Sequence, residues 1–567
     1  MKKRWKINPV DEKIKGVLEK ELNILPTTAQ LLINRGLVDT GTAFSFLSPD
    51  LNSLHNPFLM KDMDRAVTRI IDALARKEKL SVFGDYDVDG ITSTALVYLF
   101  FRDIGADVIT YIPDRKTEGY GLNIPAIKAL SERGARLIIT VDCGVSNHEE
   151  IQFAKTLGID TIVTDHHQVT QGESTAWAVL NPHQEGCNFP FKGLSGVGVA
   201  FNLVIALRAR LKEMGWFNNR QSPNLKRYLD IVGIGTVSDM VPLVDENRVF
   251  VRYGLSELNC TKRPGLKALI DISGLTLGRI NEENIAFQLA PRLNASGRIE
   301  RAETSLSLLI TEDPKEAVSL ARALNNANSS RQGIEEKIFK EALEMAGDAS
   351  GKRVIVLASE TWHPGVIGIV AGRLAERFSR PVVLVAIEGG IGKGSVRGVK
   401  GCDVISGLKA CSALLERYGG HRMAAGLTLK KERFGDFKES YADFMDRTLT
   451  DEDLVEEVCL DCAVTFGDIS ERLISEIEKL SPFGRSNEKP LLLATQADIL
   501  LSEVVGERHL RMAIRQDGRT QNAIAFNMGS LHPVKGSYDI AFYPYIDEWR
   551  GARRVRLRVK DLKECLT

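Results

Sequence analysis

Net charge is the first thing this chain lacks. Its 567 residues carry 74 basic and 74 acidic side chains, a formal net charge of zero. That excludes a surface coated uniformly in positive charge. It leaves room for a local basic channel, because steering follows the local field and not the total. Cysteine is sparse, eight in all, with no spacing that suggests a disulfide framework. The pair in Cys459-Leu460-Asp461-Cys462 stands alone, whereas a zinc site needs a second pair or a His pair nearby; these cysteines read as small apolar filler in a strand. No apolar run reaches the ~20 residues of a membrane span. The longest, over 197–207, is broken by Gly198 and Asn202. The basic start Met1-Lys2-Lys3-Arg4-Trp5 is not followed by the apolar core of a secretion signal. A cytoplasmic protein without membrane contact is expected. Internal repeats and low-complexity tracts are missing as well.

What is present is ordinary globular material, 44% apolar and 26% charged, in a chain too long for one core. Between 80 and 182, short apolar runs alternate with helical spacing. Strands are expected at 80–84, 108–112, 137–141 and 161–164, and helices at 91–104, 124–132 and 149–157. Such alternation implies an α/β fold with a parallel, doubly wound sheet. Helices follow at 197–212 and 225–233, the latter running up to Asp239. Over 317–346 apolar residues recur at helical spacing between charges, which predicts one long connecting helix with a domain boundary on it. Strands at 353–357 and 381–385 flank a helix at 366–378, a second, smaller α/β domain ending near 450. From about 455 onward, alternating strands predict a small barrel of OB type. The expected division is an N-terminal extension (1–60), a first α/β domain (61–310), a connecting helix (311–346), a second α/β domain (347–452) and an OB-like barrel (453–567).

Chemistry concentrates where those first strands run out. Gly84-Asp85-Tyr86-Asp87-Val88-Asp89-Gly90, Val141-Asp142-Cys143-Gly144, Thr164-Asp165-His166-His167 and Ser238-Asp239 all place acids or imidazoles at element ends. In parallel α/β sheets, sites form beyond the carboxyl ends of the strands. Carboxylates plus neutral imidazoles suit a pair of Mn²⁺ or Mg²⁺ ions, and a two-metal site cuts phosphodiester or phosphoanhydride bonds. Asp142 is the best placed to bridge two ions, His166 to bind as neutral imidazole with its tautomer fixed by a further acceptor, and Asp239 to complete a shell. Asp85 to Gly90 also looks like the start of a calcium loop, but the twelfth position, where such a loop needs a bidentate Glu, is Leu96.

Further segments pair cations with glycine. Pro291-Arg292-Leu293-Asn294-Ala295-Ser296-Gly297-Arg298 reads as a surface loop whose guanidinium groups suit phosphate oxygens. His363-Pro364-Gly365-Val366-Ile367-Gly368 opens a helix, and a helix N-terminus attracts phosphate. Gly394-Ser395-Val396-Arg397-Gly398 and Gly419-Gly420-His421-Arg422 read as Gly-plus-cation loops. Near the end, Arg554-Val555-Arg556-Leu557-Arg558-Val559-Lys560 alternates charge with apolar residues. As a strand it sets Arg554, Arg556, Arg558 and Lys560 on one face. Arg550 and Arg553 extend that patch, and Phe542, Tyr543 and Tyr545 precede it. A basic face with aromatics binds single strands; the plainer reading is an edge strand protected by charge.

With these residues in view, the chain resembles the DHH phosphoesterase superfamily, which takes its name from the triplet Asp165-His166-His167, and within it the RecJ family of single-strand-specific exonucleases. The resemblance covers nearly the whole chain, through 84–90, 140–144, 164–167, 235–242, 292–298, 363–373, 394–397 and 419–426. It implies Asp85, Asp87, Asp89, Asp142, His166 and Asp239 as ligands of two Mn²⁺ or Mg²⁺ ions per site. His167 would contact the scissile phosphate or act as an acid. It implies strand contacts from Arg292, Asn294, Ser296 and Arg298, and from Gly365, Val366, Gly368, Arg373, Ser395, Arg397, Gly420 and His421 of a DHH-associated domain. The implied activity is 5′→3′ degradation of single-stranded DNA to mononucleotides in recombination and mismatch repair, alongside a single-stranded-DNA-binding protein and a RecQ-type helicase. One turn departs from the family pattern Pro-Phe-Gly-x-Gly-Asn-Pro: here it is Pro482-Phe483-Gly484-Arg485-Ser486-Asn487-Glu488, lacking the second Gly and the final Pro. Two other readings stand beside this one: a DHH phosphodiesterase for cyclic dinucleotides or short oligonucleotides, and a scaffold that no longer cuts.

Overall fold

Short apolar runs, mostly buried except for a half-buried edge strand at Val108–Tyr111, build the first sheet. In the computed structural model, which describes residues 3–115, 117–169, 174–299, 301–349, 351–549 and 552–565, these are β1 (Lys79–Gly84), β2 (Val108–Tyr111), β3 (Ala135–Val141), β4 (Asp160–Thr164) and β5 (Ala178–Leu180). The strand order is β2-β1-β3-β4-β5 and every pairing is parallel. Helices Val88–Asp103, Ile124–Glu132 and His148–Thr156 make the crossovers, so both faces are covered and the strands lose their alternation. The order reverses between β1 and β3, and that reversal opens a crevice beyond the carboxyl ends. Strand β5 has no counterpart in the sequence reading: three residues are too few to show a period.

The chain divides into two compact units. The larger is Trp5–Ala290, Leu306–Val318 and Cys459–Thr567; the smaller is Met1–Arg4, Pro291–Ser305 and Ser319–Val458. The larger unit holds the parallel sheet and a barrel. The barrel strands are β11 (Leu492–Val505), β12 (His509–Gln516), β13 (Arg519–Ala525), β14 (Gly536–Trp549) and β15 (Ala552–Glu564), numbered after five strands of the smaller unit given below. They run β11-β12-β13-β15-β14, and β14 pairs back to β11, closing a five-stranded barrel of OB type. Helices Glu12–Leu22, Pro26–Ile33 and Thr40–Leu47 share its core, with Leu18, Leu31 and Leu32 packed among Leu492, Ile514, Phe542 and Leu557. Arg248 ties barrel and sheet domain together. It is buried, donates to the carbonyls of Leu480 (2.6 Å), Lys479 (2.9 Å) and Phe46 (3.1 Å), and lies 3.8 Å from the Phe46 ring centre.

In the smaller unit, β6 (Ile355–Ser359) and β7 (Val382–Glu388) are parallel, and β8 (Ile391–Arg397), β9 (Arg417–Gly420) and β10 (Ala424–Lys430) continue antiparallel, in the order β9-β10-β8-β7-β6. The two Gly-rich segments read as loops are therefore largely strand. Gly394 lies within β8, where a Cβ would stand 2.7 Å from Leu427 Cγ, so its glycine serves sheet packing. The long helix runs Pro314–Ala346. No helix among the described residues is long and apolar enough to cross a membrane.

Candidate metal centre

The site grows out of three strand ends and two helix starts. Asp85 follows β1. Asp87 caps the next helix, accepting the Gly90 N–H at 3.0 Å. Gly90 must be glycine, because a Cβ would stand 2.5 Å from the Asp85 carbonyl oxygen. Asp89, in that helix's first turn, reaches across to the start of helix Gly196–Glu213 and accepts the N–H groups of Gly196 (2.6 Å) and Val197 (2.9 Å), a carboxylate on a helix N-terminus. Ser195 caps that helix by accepting the Gly198 N–H at 3.1 Å. Asp142 follows β3 with φ +60°, held by its N–H on the Thr164 carbonyl at 2.9 Å. Asp239 ends helix Leu229–Ser238.

These acids converge on His166. Its Nδ1 donates to the Leu194 carbonyl at 3.0 Å, which leaves Nε2 as a bare lone pair. That Nε2 lies 3.2 Å from Asp142 Oδ1, 3.5 Å from Asp239 Oδ2 and 4.0 Å from Asp89 Oδ2. Burial drives the His166 pKa down to about 4, so the ring is neutral and cannot pair with the carboxylates. Burial, then mutual repulsion, pushes Asp85 and Asp142 well above the usual carboxylate range, Asp89 to about 7 and Asp239 to about 9. Asp85 Oδ1, Asp142 Oδ1, Asp239 Oδ2 and His166 Nε2 are all buried with no hydrogen-bond partner. Lone pairs facing one another out of water are costly without a cation between them. Three groups have ligand atoms within 4.8 Å: Asp142/His166/His167, Asp89/His166/Asp239 and Asp85/Asp87/Asp142. Hard oxygens with one imidazole fit a divalent cation of the Mn²⁺ or Mg²⁺ kind. All six expected ligand residues thus meet in one place.

The sequence sets Asp165 at a strand end without giving it a role, and two further neighbours, Tyr120 and Gly196, escaped the sequence reading. Asp165 is fully buried and spends its carboxylate on the backbone: Oδ1 accepts from the His166 and His167 amides (2.7 and 3.0 Å) and from His167 Nδ1 (2.7 Å), Oδ2 from the Val145 amide (3.0 Å). Burial works against its ionisation, but the His167 bond and the amides outweigh it and hold its pKa low. Burial likewise opposes the charged His167, and Asp165 more than offsets it, so the His167 pKa is raised. Tyr120 lies in a loop with no strand end to mark it. Its hydroxyl donates to the Asp142 carbonyl at 3.3 Å and sits 3.2 Å from His167 Nδ1. Gly196 abuts Asp142, and only the Ser195 cap before a glycine-bearing helix signals it.

The expected strand contacts lie in different settings. Pro291 to Arg298 is helix (Ala290–Ile299), not a loop. Two of its side chains turn inward: Ser296 is buried against Ser305 Oγ (2.8 Å), and Arg292 Nε donates to Asn325 (3.1 Å). Asn294 is half-buried on the same helix. Arg298 donates to the Gly365 carbonyl at 3.2 Å. Gly368 lies against Ser395 and Arg397, whose side chains are joined at 3.2 Å. Val366 is core. Arg373 pairs with Glu335 (2.9 Å) and Glu336 (3.3 Å) and covers Phe339. Gly420 takes φ +140° beside the exposed His421.

On β15, Arg554 and Lys560 are exposed while Leu557 and Val559 are buried, the alternation expected. Arg556 bonds Asp547 at 2.9 Å, and Arg558 lies 5.3 Å from the Tyr543 ring centre. Tyr543 and Tyr545 share that face as register partners of Arg558 and Arg556, but Phe542 points into the core. Arg553 meets Glu548 at 3.5 Å; Arg550 lies outside the described residues. Cys462 is buried as expected, Cys459 is exposed, and neither joins a metal-holding group among the described residues.

Comparison with known proteins accords with this geometry. Residues 79–236 match the DHH family, N-terminal domain; 351–447 match the DHHA1 domain; 460–561 match the RecJ OB domain. The single-stranded-DNA-specific exonuclease RecJ of Bacillus subtilis is 41% identical over 99% of this chain and 71% of its own length. That of Escherichia coli is 35% identical over 89% of this chain and 90% of its own. The crystal structure of RecJ in complex with Mn²⁺ from Thermus thermophilus superposes with a TM-score of 0.86 at 30% identity, covering 100% of this chain and 80% of that one. A second crystal structure of that RecJ is in complex with Mg²⁺. Sheet order, convergent acids and likeness along nearly the full length lead to one conclusion: the chain belongs to the RecJ family of DHH proteins.

Proposed function

We propose that this protein is a metal-dependent exonuclease specific for single-stranded DNA, degrading it 5′→3′ to mononucleotides. The observation that carries the reading is the set of four buried, unbonded lone pairs on Asp85, Asp142, Asp239 and His166 at the carboxyl edge of a parallel sheet. Asp85, Asp87, Asp89, Asp142, His166 and Asp239 hold two Mn²⁺ or Mg²⁺ ions. When bound, such a pair supplies a nucleophile near neutral pH and offsets charge on the reacting phosphate. Asp142 and His166 each belong to two of the three ligand groups, and of the two only the carboxylate has two oxygens to offer, so Asp142 would be the residue a pair of ions shares. Asp89 has a double duty, since its oxygens also anchor the Gly196 and Val197 amides. His167, oriented by the bond of its Nδ1 to Asp165, donates a hydrogen bond to the scissile phosphate. The Arg298–Gly365 and Ser395–Arg397 groups and the β15 cations hold the strand. Closed OB barrels bind single strands through such faces, which favours a long-strand substrate over a cyclic dinucleotide. The curated relatives named above are exonucleases of the same substrate class.

A nuclease confined to single strands needs another protein to open duplex and expose 5′ ends. We therefore place it in the cytoplasm with a RecQ-type helicase and a single-stranded-DNA-binding protein, in recombination and mismatch repair, and retain the domain limits expected from the sequence. The test is an end-labelled single strand beside its duplex, with Mn²⁺, for wild type and Asp142→Ala. Mononucleotides from the 5′ end of the single strand alone, lost in the variant, are expected. Release from the 3′ end, equal cutting of duplex, or full activity in the variant would each overturn part of the proposal.

A further inference from the structure

The turn that departs from the family pattern sits beside the metal centre. It is locked from within. Gly484 and Asn487 exchange backbone bonds at 2.9 and 3.1 Å, and the buried Asn487 side chain donates to the Leu480 (2.8 Å) and Pro482 (2.7 Å) carbonyls. Ser486 adopts φ +62°, the conformation the missing glycine would take, and its N–H donates to Glu488 at 3.2 Å. Both departures are thus absorbed inside the turn. It is also locked from outside. The Leu243 N–H donates to the Arg485 carbonyl at 2.8 Å, and a Cβ on Gly484 would stand 2.7 Å from Leu243 Cδ1. Leu243 belongs to the short segment that leads away from Asp239.

The backbone of Arg485 therefore does the docking, and its side chain is left for other work. That side chain is exposed and has no carboxylate within 4.0 Å among the described residues. Its backbone anchor, Leu243, stands four residues along the chain from Asp239. An unpaired guanidinium on a rigid turn is suited to a phosphate oxygen. We propose that Arg485 contacts a phosphate of the bound single strand on the Asp239 side of the metal centre, so that the barrel domain contributes directly to holding the reacting strand. This rests on the nuclease reading above.

The test is steady-state hydrolysis of a labelled oligo(dT) with Mn²⁺ across a KCl series. For Arg485→Ala, KM should rise roughly tenfold with kcat nearly unchanged, the scale of one charge-assisted contact. The double-logarithmic slope of kcat/KM against salt should become shallower by about 0.7, one phosphate contact on a single strand. Melting temperature and bound Mn²⁺ should match wild type, and Arg485→Lys should restore the slope. An unchanged KM and slope in Arg485→Ala, with wild type degrading the strand, refutes this contact and leaves the nuclease intact. Loss of Mn²⁺ or of melting temperature in step with kcat refutes it in favour of a structural role. A wild type that cuts no strand removes the nuclease reading itself.

Discussion

Replacing Gly196 with alanine sets local propensity against tertiary geometry. Gly196 is the first residue of helix Gly196–Glu213, and alanine favours a helix over glycine by up to ~1 kcal/mol. By propensity alone the variant is stabilised. Its new Cβ would stand 2.5 Å from Asp142 Oδ1, 2.7 Å from Asp142 Cβ and 2.8 Å from Asp142 Cγ. Ordinary contact needs ~3.5 Å, so one partner must retreat by about 0.7–1 Å. Asp142 cannot yield cheaply, being at φ +60° with its amide bound to Thr164. Moving the helix instead pulls the Gly196 amide from Asp89, now 2.6 Å away. Overpacking of this kind costs about 1–3 kcal/mol, and a misplacement near 1 Å costs ~10²-fold in rate. We expect Gly196→Ala to lose activity by about that factor and to bind Mn²⁺ more weakly. Gly198→Ala is the control, since its nearest neighbours stand at 3.2 Å and neither is a metal-site acid. The assay is kcat/KM on a single strand, with bound Mn²⁺ and melting temperature measured in parallel. A Gly196→Ala enzyme with wild-type rate and full Mn²⁺ content would refute the claim that this glycine exists to admit Asp142.

Other outcomes follow from the same contacts. Arg248→Met should lower unfolding free energy by about 2 kcal/mol in a denaturant titration, because one buried and two part-buried carbonyl bonds lose their donor; a change under ~0.5 kcal/mol would show the joint to be dispensable. Metal-free protein should lose stability as pH rises from about 4 towards about 9, the Asp239 value. The sign follows from folded carboxyls that keep protons the unfolded chain has released. Mn²⁺ should therefore raise the melting temperature more at pH 8 than at pH 6; a flat metal-free profile would contradict it. His167→Ala should cut kcat by ~10²-fold or more while bound Mn²⁺ stays near wild type, and joint loss of metal would assign His167 to the ligand set instead.

The sequence by itself determined the fold class and the kind of chemistry. Continuous apolar runs alternating with helical spacing can satisfy their backbone only in a covered parallel sheet, and acids at run ends then collect at one edge. The period-two charge of β15 likewise predicted which of its side chains face outward. Where such periods are short or local chemistry is ambiguous, the sequence was silent or misleading. β5 is too brief to show a pattern, and glycine in β8 reads as loop until Leu427 is seen to need its space. Arg292 and Ser296 read as surface groups until helix formation turns them towards Asn325 and Ser305. The tertiary structure alone decided what each acid can do. Asp165 looks like a ligand in sequence, but four donors spend its lone pairs, whereas Asp142, Asp239 and His166 keep theirs because no donor reaches them. Arg485 comes beside Asp239 only because a barrel some 240 residues further along docks there. Spacing along a chain records secondary structure, but the pairing or orphaning of a buried polar atom depends on what distant segments bring to it.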